Sequence, residues 1–403
     1  MHGSFFLVDA NELSLEKRRT KLGLQHYLRL HTLPNSVAYN TICDESNEHL
    51  FLNENIRAPM GIRMKRIIQS QNLNPINILP CPIPISPPWR IQDISCDGLM
   101  TINKSRYSAN QIKQIFLNHI HQCHSNSYHI YTDGSSTAEG SGSGIYSDFI
   151  SRSVKLSTVA SSFAAEMFAI LEALQHLEEG PDESSVIFTD SRSSIQILDK
   201  ILSNHPIVTQ IHSILSRLIT IGKQIKFCWV PSHVDILGNE EADRLARTAA
   251  SAQTVIERPS VPHKDYYPLI RKNLLNEWQA EWTNTPESNK LRSFRDTIKP
   301  WPSSYQKVRK YEVILARLRI GHTRLTHGHL MRGEPLPPYC DNCVIPVTIK
   351  HILVECPDHN DVRSRMFGVN ASLGSILSDQ PNRSLDINKI ITFLSTIGVL
   401  NEI

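Results

Sequence analysis

Two short stretches share one pattern: YHIYTDGS at residues 128–135 and SVIFTDSRS at residues 185–193. In each, β-prone residues run up to an aspartate, Asp133 or Asp190, and turn-forming residues follow it. Each stretch therefore predicts a strand with a carboxylate at its end. After the second strand, a helix is predicted by apolar residues at helical spacing, namely Ile195, Leu198, Ile201 and Leu202.

Two further acidic residues lie in predicted helices. Glu166 belongs to AAEMFAI, part of an amphipathic pattern, and Asp243 belongs to GNEEADRLA. Asn239 is the predicted N-cap of the second helix, which follows the β-prone run QIKFCWV at residues 224–230. Two strand ends and two helices would thus bring four carboxylates to one cleft.

Four carboxylates in one cleft raise each other's pKa by repulsion unless cations bind between them. Oxygen ligands alone favour the hard ions Mg²⁺ or Mn²⁺ over zinc. Two such ions, about 4 Å apart, suit an in-line phosphoryl displacement, because one activates the attacking water and the other stabilises the leaving oxygen. Each acid taken alone reads as surface charge, but the four together favour a metal site.

In order and setting, these acids resemble the metal-binding carboxylates of the type 1 ribonuclease H family. The resemblance covers residues 128–250 and implies an α/β fold, with a mixed five-stranded sheet and flanking helices. It also implies endonucleolytic hydrolysis of the RNA strand of RNA–DNA hybrids with two Mg²⁺ ions, or Mn²⁺. The implied catalytic metal ligands are Asp133, Glu166, Asp190 and Asp243.

His233 lies ten residues before Asp243 and matches the histidine of the family's catalytic loop. The resemblance implies that it helps to protonate the leaving group or to release product. A lone loop histidine without a role is the alternative, which the matching flanks disfavour. Proofreading exonucleases carry D-x-E on one strand, but residue 135 is Ser; transposases and integrases carry Glu on the last helix, where this chain has Asp243.

Charge is unevenly distributed along the chain. Residues 128–250 carry 9 Lys and Arg against 15 Asp and Glu, without the basic insertion of some bacterial family members. Residues 290–332 carry 11 Lys and Arg, opposed by Asp296 and Glu312 alone. This excess predicts contact with nucleic-acid phosphates. The basic residues that we expect to make it include Lys307, Arg309, Lys310, Arg317 and Arg319.

A second metal motif follows the basic segment: Cys340-x₂-Cys343-x₇-His351-x₄-Cys356. Three thiolates and one imidazole at these intervals predict a tetrahedral structural Zn²⁺ site. The site resembles a zinc knuckle with a longer middle spacer, so both nucleic-acid binding and a purely structural role stay open.

Two other patterns are weaker. His119, His121, Cys123 and His124 fit no metal framework, and we interpret them as helix-terminal or linker residues. The glycine-rich run at residues 140–144 lies between two β-like runs, so we predict a flexible hairpin turn and not a phosphate loop.

The motifs divide the chain into five predicted regions. They are a helical remnant at 1–74, a proline-rich linker and lead-in at 75–126, a ribonuclease H domain at 127–253, a basic helical region at 254–335, and a zinc module with the tail at 336–403. This order resembles the carboxyl-terminal part of an arthropod-type non-LTR retrotransposon polyprotein. The paired aspartates of its reverse-transcriptase domain are absent from the sequence.

We therefore predict a hybrid-cleaving nuclease whose partner is an RNA–DNA hybrid; the alternative is a catalytically idle nucleic-acid-binding protein from a decayed retroelement. Protein partners are not predicted. The first residues turn polar too soon for a signal peptide, and no apolar run approaches the ~20 residues that cross a membrane. Isolated cysteines fit a reducing compartment, so we expect an intracellular protein, nuclear or cytoplasmic.

Overall fold

The computed structural model describes most of the chain, in two compact units. The described residues are 4–46, 48–51, 57–73, 76–81, 94–96, 106–200, 203–254, 256–286, 289–333, 336–379 and 384–403. The first unit comprises Met1–Thr20 and Lys272–Ile403, and the second comprises Lys21–Arg271. Residues 75, 82–93 and 97–105 of the predicted proline-rich linker and lead-in lie outside the described residues, as do Ile201 and Leu202 of the predicted helix. The five predicted regions stay predictions.

The second unit is built on one mixed sheet. Its strands are β1 (Ser95–Cys96), β2 (Tyr128–Ser136), β3 (Ser141–Tyr146), β4 (Ser151–Leu156), β5 (Ser184–Thr189) and β6 (Gln224–Trp229). The order is β1-β6-β5-β2-β3-β4. Strands β2, β3 and β4 pair antiparallel, whereas β5 pairs parallel with both β2 and β6. The predicted five strands are thus present, and β1 adds a short sixth.

Helices flank this sheet and also form much of the rest of the described chain. In the second unit they are α3 (Val37–Ile42), α4 (Met60–Ser70), α5 (Ala109–Cys123), α6 (Ser162–Glu179), α7 (Arg192–Leu198), α8 (Pro206–Thr220) and α9 (Leu237–Ser251). Helices α2 (Leu15–Leu30) and α10 (Tyr267–Thr283) cross the boundary between the units. Those of the first unit are α1 (Ser4–Asp9), α11 (Arg309–Ile320), α12 (Arg324–Arg332), α13 (Asn360–Phe367), α14 (Leu373–Leu377) and α15 (Ile387–Thr396).

Glycine residues on β3 let helix α9 approach the sheet closely. A Cβ atom on Gly144 would lie 2.1 Å from the carbonyl oxygen of Ala242, and one on Gly142 would lie 2.5 Å from the backbone nitrogen of Ala250. The glycine-rich run is therefore mostly a buried strand and not the predicted flexible turn. Its alternating small residues are needed because a helix backbone occupies the space that side chains would fill.

Helix α9 begins earlier than the sequence predicts. Its N-cap is Ile236, and Asn239 is a buried residue of the first turn, so the prediction of an Asn239 cap is wrong. The reason is tertiary packing. Gly238 lies against the ring of Tyr131, where an added Cβ would come within 2.3 Å. Gly238 makes this close contact as a residue of the first helical turn, so the helix already includes the residues before Asn239.

Segments that precede and follow residues 127–253 pair with the two outer strands of the five-stranded sheet, β6 and β4. Strand β1 pairs parallel with β6, and the amide of Phe227 donates to the carbonyl of Ile94 at 2.6 Å. At the other edge, Arg258 forms a parallel bridge with Leu156 of β4. An uncovered strand edge offers unpaired backbone groups to other chains, so these additions protect the sheet.

The first unit buries two arginines around one aspartate. Arg295 and Arg319 are each 1% exposed, and both form ion pairs with Asp9 of helix α1, at 3.4 and 2.9 Å. Their guanidinium groups lie over the ring of Trp301, at 4.2 and 4.6 Å from its centre. Burial lowers the pKa of Arg295 to about 10, which still leaves it charged at neutral pH.

Among the described residues, no helix has both the length and the apolar character that a membrane crossing requires.

The glycine contacts predict a selective effect on stability. Gly144→Ala should lower the free energy of unfolding by about 1–3 kcal/mol, because its methyl group would collide with the backbone of α9. Gly180→Ala is the matched control, since its Cβ would meet no atom closer than 3.5 Å and should change that energy by less than about 0.5 kcal/mol. Urea denaturation followed by circular dichroism measures both; equal effects would contradict the packing argument.

Candidate functional site

Three of the predicted acids meet where the parallel pairing of the central strands β2 and β5 ends. The parallel pairing of β2 with β5 ends at Thr132 and Thr189, so Asp133 and Asp190 are the next residues of neighbouring strands. Carboxylate oxygens of Asp133, Glu166 and Asp190 all lie within 4.8 Å of one another. Strand β2 continues past Asp133 to Ser136, which corrects the predicted strand end, because β3 pairs with this extension.

Glu166 lies beside Asp133 and Asp190 because Gly134 of β2 lets helix α6 approach the sheet closely. A Cβ atom on Gly134 would lie 2.1 Å from the backbone nitrogen of Glu166. On the same side, the hydroxyl of Ser143 donates to the carbonyl of Ala165 at 2.8 Å. The first turns of α6 are thereby fixed to the sheet beside Asp133.

Asp243 completes the group from helix α9. Its carboxyl interacts with Asp133 through a side-chain hydrogen bond and through charge, and it also pairs with Arg247 one turn along the helix. Asp243 is outside the group of three whose oxygens lie within 4.8 Å. It therefore borders the cluster, next to Asp133.

The electrostatics of the cluster are those of a cation site. Burial, together with the charges of Asp190 and Asp243, raises the pKa of Asp133 to about 7. Burial and the charges of Asp133 and Asp190 raise the pKa of Glu166 well above its ordinary value. The buried Oε2 atom of Glu166 has no hydrogen-bond partner among the described residues. An unpaired buried carboxylate oxygen facing other carboxylates suits a hard divalent cation.

His233 lies on the loop that joins β6 to α9, the helix of Asp243. Its side chain is exposed, and its backbone adopts the left-handed conformation with φ 58°. Asp235 has φ 57° on the same loop, whereas Val234 and Ile236 are buried and anchor it. The loop thus presents the imidazole to solvent, at the end of the strand next to β5.

Trp229 supports the site in a way that the sequence did not reveal. It lies in the β-prone run at residues 224–230 and is buried, but its indole N–H also donates to the carbonyl of Asp190 at 3.0 Å. The guanidinium of Arg192 lies 4.1 Å from its ring centre. The only signal in the sequence was a tryptophan near the end of the β-prone run at residues 224–230.

One part of the chain matches a known protein family. The family model of RNase H matches residues 125–251. These residues form an RNase H domain. The mixed sheet with flanking helices is the fold that this family predicts, so the predicted fold class is confirmed. Among curated proteins, none matches the chain.

The four predicted zinc ligands also come together, outside the RNase H domain. The thiol sulfurs of Cys340, Cys343 and Cys356 and a ring nitrogen of His351 lie within 4.8 Å of one another. His351 is 3% exposed, and neither of its ring nitrogens has a hydrogen-bond partner among the described residues. The nearby His351 side chain, followed by the backbone groups of Cys343 and Asn342, lowers the pKa of the Cys340 thiol to about 6. A thiolate beside an unpaired imidazole suits zinc.

Part of the predicted basic surface is not on the surface. Arg319 is buried in its ion pair with Asp9, so the prediction that it contacts phosphates is wrong. The periodicity of charge could not reveal this, because Asp9 lies 310 positions away in the sequence. Lys307, Lys310 and Arg317 are exposed, as is Arg309, which pairs with Glu312 at 2.6 Å.

The raised carboxyl pKa values predict how stability depends on pH. The folded chain holds the Asp133 proton up to about pH 7, whereas an unfolded carboxyl releases it near 3.8. This stabilisation is complete below the unfolded value and is lost as the pH rises through 7. Without divalent ions, the free energy of unfolding should fall between about pH 4 and 7. Mg²⁺ should offset the loss at the upper end.

Asp133→Asn, which cannot titrate, is the matched variant. In urea denaturation without divalent ions it should show a flatter pH profile than the parent and greater stability at pH 8. Identical profiles for the two proteins would contradict the assignment.

The thiol cluster predicts zinc-dependent stability. Cys343→Ser should abolish stoichiometric zinc binding and lower the melting temperature, whereas Cys123→Ser, which changes an exposed cysteine on α5, should do neither. Zinc content is measured by atomic absorption, and melting by calorimetry. A parent protein that neither retains zinc nor melts higher when zinc is added would refute the site.

Proposed function

We propose that the chain hydrolyses the RNA strand of RNA–DNA hybrids as a type 1 ribonuclease H. The observation that carries the proposal is the convergence of Asp133, Glu166 and Asp190 within 4.8 Å inside the RNase H domain. The other part of the support is the raised pKa values of Asp133 and Glu166, because bound cations would offset the burial and the repulsion that raise them.

In this proposal, Asp133, Glu166, Asp190 and Asp243 hold two Mg²⁺ ions, for which Mn²⁺ can substitute. When bound, such ions activate a water molecule and stabilise the leaving oxygen. The residues of the chain fix the geometry: the sheet aligns Asp133 with Asp190, and the glycine contacts of Gly134 hold Glu166 against them. The exposed His233 carries a proton to the leaving group or helps to release the product.

Affinity for the hybrid is assigned mainly to segments outside the RNase H domain. Residues 128–250 have a net charge of −6, from 9 basic and 15 acidic residues, which opposes binding to phosphates. The exposed cations Lys307, Lys310 and Arg317 lie in the segment with the largest positive excess. Phosphate contacts from such residues give salt-dependent affinity that is independent of nucleotide sequence.

For the zinc site we propose a structural role. The segment between its ligands contributes Ile349, Ile352 and Leu353 to a core cluster with helices α11, α14 and α15. Residues 336–361 carry one Lys or Arg against four Asp or Glu, which disfavours phosphate binding. Zinc would therefore hold this segment in the core of the first unit.

The order of the motifs supports a further proposal about origin. An RNase H domain, a basic segment and a Cys₃His cluster follow one another as in the carboxyl-terminal part of a non-LTR retrotransposon polyprotein of arthropod type. We propose that origin, an intracellular location, and the regional boundaries predicted from the sequence.

Asp190→Asn tests the proposed chemistry. The purified full chain should cleave the RNA strand of a labelled hybrid only with Mg²⁺ or Mn²⁺, and the variant should lose this activity because it weakens metal binding while keeping its shape. His233→Ala should slow turnover by ~10²–10⁴-fold. Asp182→Asn, at the opposite end of β5, is the control and should cleave like the parent. Binding of hybrid by the parent without cleavage at any concentration of these ions would favour the idle-binder alternative.

A further inference from the structure

The segment at residues 256–266 follows the RNase H match, which ends at residue 251, yet it packs along the domain. Val261 is anchored by backbone hydrogen bonds to Asn77 and Leu79, at 3.0 and 2.8 Å. The hydroxyl of Tyr266 accepts a hydrogen bond from the backbone N–H of Asn77 at 3.1 Å. This segment is therefore a fixed part of the second unit.

Asp265 of this segment binds the N-terminus of helix α6. One carboxylate oxygen accepts the backbone N–H of Ser161 at 3.0 Å, and the other accepts its hydroxyl at 3.1 Å. The same Ser161 oxygen accepts the backbone N–H of Ala164 at 3.1 Å, as the N-cap of the helix. Asp265 thus orients the hydroxyl that caps the helix, and its negative charge lies at the positive end of the helix dipole.

Arg258 of the same segment makes a second contact with α6. Its Nε atom donates to the carboxylate of Glu172 at 2.7 Å, and its Nη2 atom donates to Gln175 at 2.9 Å. Glu172 is 1% exposed, whereas the Arg258 side chain is 35% exposed, so Arg258 neutralises a buried carboxylate from the edge of the solvent. Two contacts, one at the first turn and one at mid-helix, leave α6 little freedom to shift or rotate.

The first turn of α6 matters because Glu166 is the fifth residue of this helix, two positions after Ala164. The sheet holds one side of that turn through Gly134 and Ser143. We propose that Asp265 holds the other side and is a positioning residue that sets the Glu166 carboxylate for divalent-cation binding. The inference deepens the proposed ribonuclease function and rests on it for the identity of the cation site.

The test compares the full-length parent with Asp265→Asn, because an asparagine offers one oxygen where two donors need acceptors. Hydrogen exchange followed by mass spectrometry should show faster exchange in peptides covering residues 162–166, with β2 and β5 unchanged. Titration with Mn²⁺ should show affinity weakened about tenfold, as is typical when a group that orients a metal ligand is removed. In cleavage assays, the Mg²⁺ requirement should rise while KM for the hybrid stays constant.

Two further variants sharpen the result. Asp148→Asn also neutralises one carboxylate, on the exposed β3–β4 turn, and should behave like the parent. In a Ser161→Ala background, Asp265→Asn should add less than it does in the parent, because the hydroxyl through which it acts is already missing.

The outcomes separate this inference from the proposed function. A parent that binds Mn²⁺ but never cleaves hybrid, together with weakened Mn²⁺ binding by Asp265→Asn, would support the positioning role and reject the nuclease activity. Unchanged exchange at residues 162–166, or exchange that rises equally throughout the domain, would overturn the positioning role. So would unchanged Mn²⁺ affinity in a variant whose helix exchange is faster.

Discussion

Repulsion between carboxylates is the constraint around which the RNase H domain is organised. Asp133, Glu166 and Asp190 have oxygens within 4.8 Å of one another, and burial of Asp133 and Glu166 makes their negative charges still more costly. A loosely packed scaffold would relieve this by moving the side chains apart. The domain prevents that movement with direct backbone contact, at Gly134 against α6 and at Gly144 against α9.

The sequence predicts those parts of the site that local structure determines. Asp133 and Asp190 end similar β-prone runs, and their proximity follows once the two strands are neighbours. The strand-like burial of Gly142 and Gly144 was not predicted, because only the position of α9 shows why these residues must be small. Asn239 was wrongly assigned as an N-cap for the same reason, since the contact of Gly238 with Tyr131 determines where the helix begins.

Long-range pairing explains the remaining differences. The cysteine and histidine spacing of the second cluster predicted its ligands, because four ligands within 17 residues need little help from the rest of the fold. Arg319 was predicted to face nucleic acid, because a charge pattern cannot identify a partner as distant as Asp9. The contribution of Trp229 to Asp190 was missed because a buried indole is fully explained by packing until its N–H partner is known.

The buried pairing of Asp9 with Arg295 sets an order for folding on the ribosome. These two residues are separated by 286 positions, and the whole RNase H domain is synthesised between them. At a translation rate of roughly 5–20 residues per second, the arginine partners of helix α1 are synthesised on the order of 15–60 s after the helix itself. By the end of that interval the RNase H domain has been synthesised, so the discontinuous unit that combines residues 1–20 with residues 272–403 folds after it.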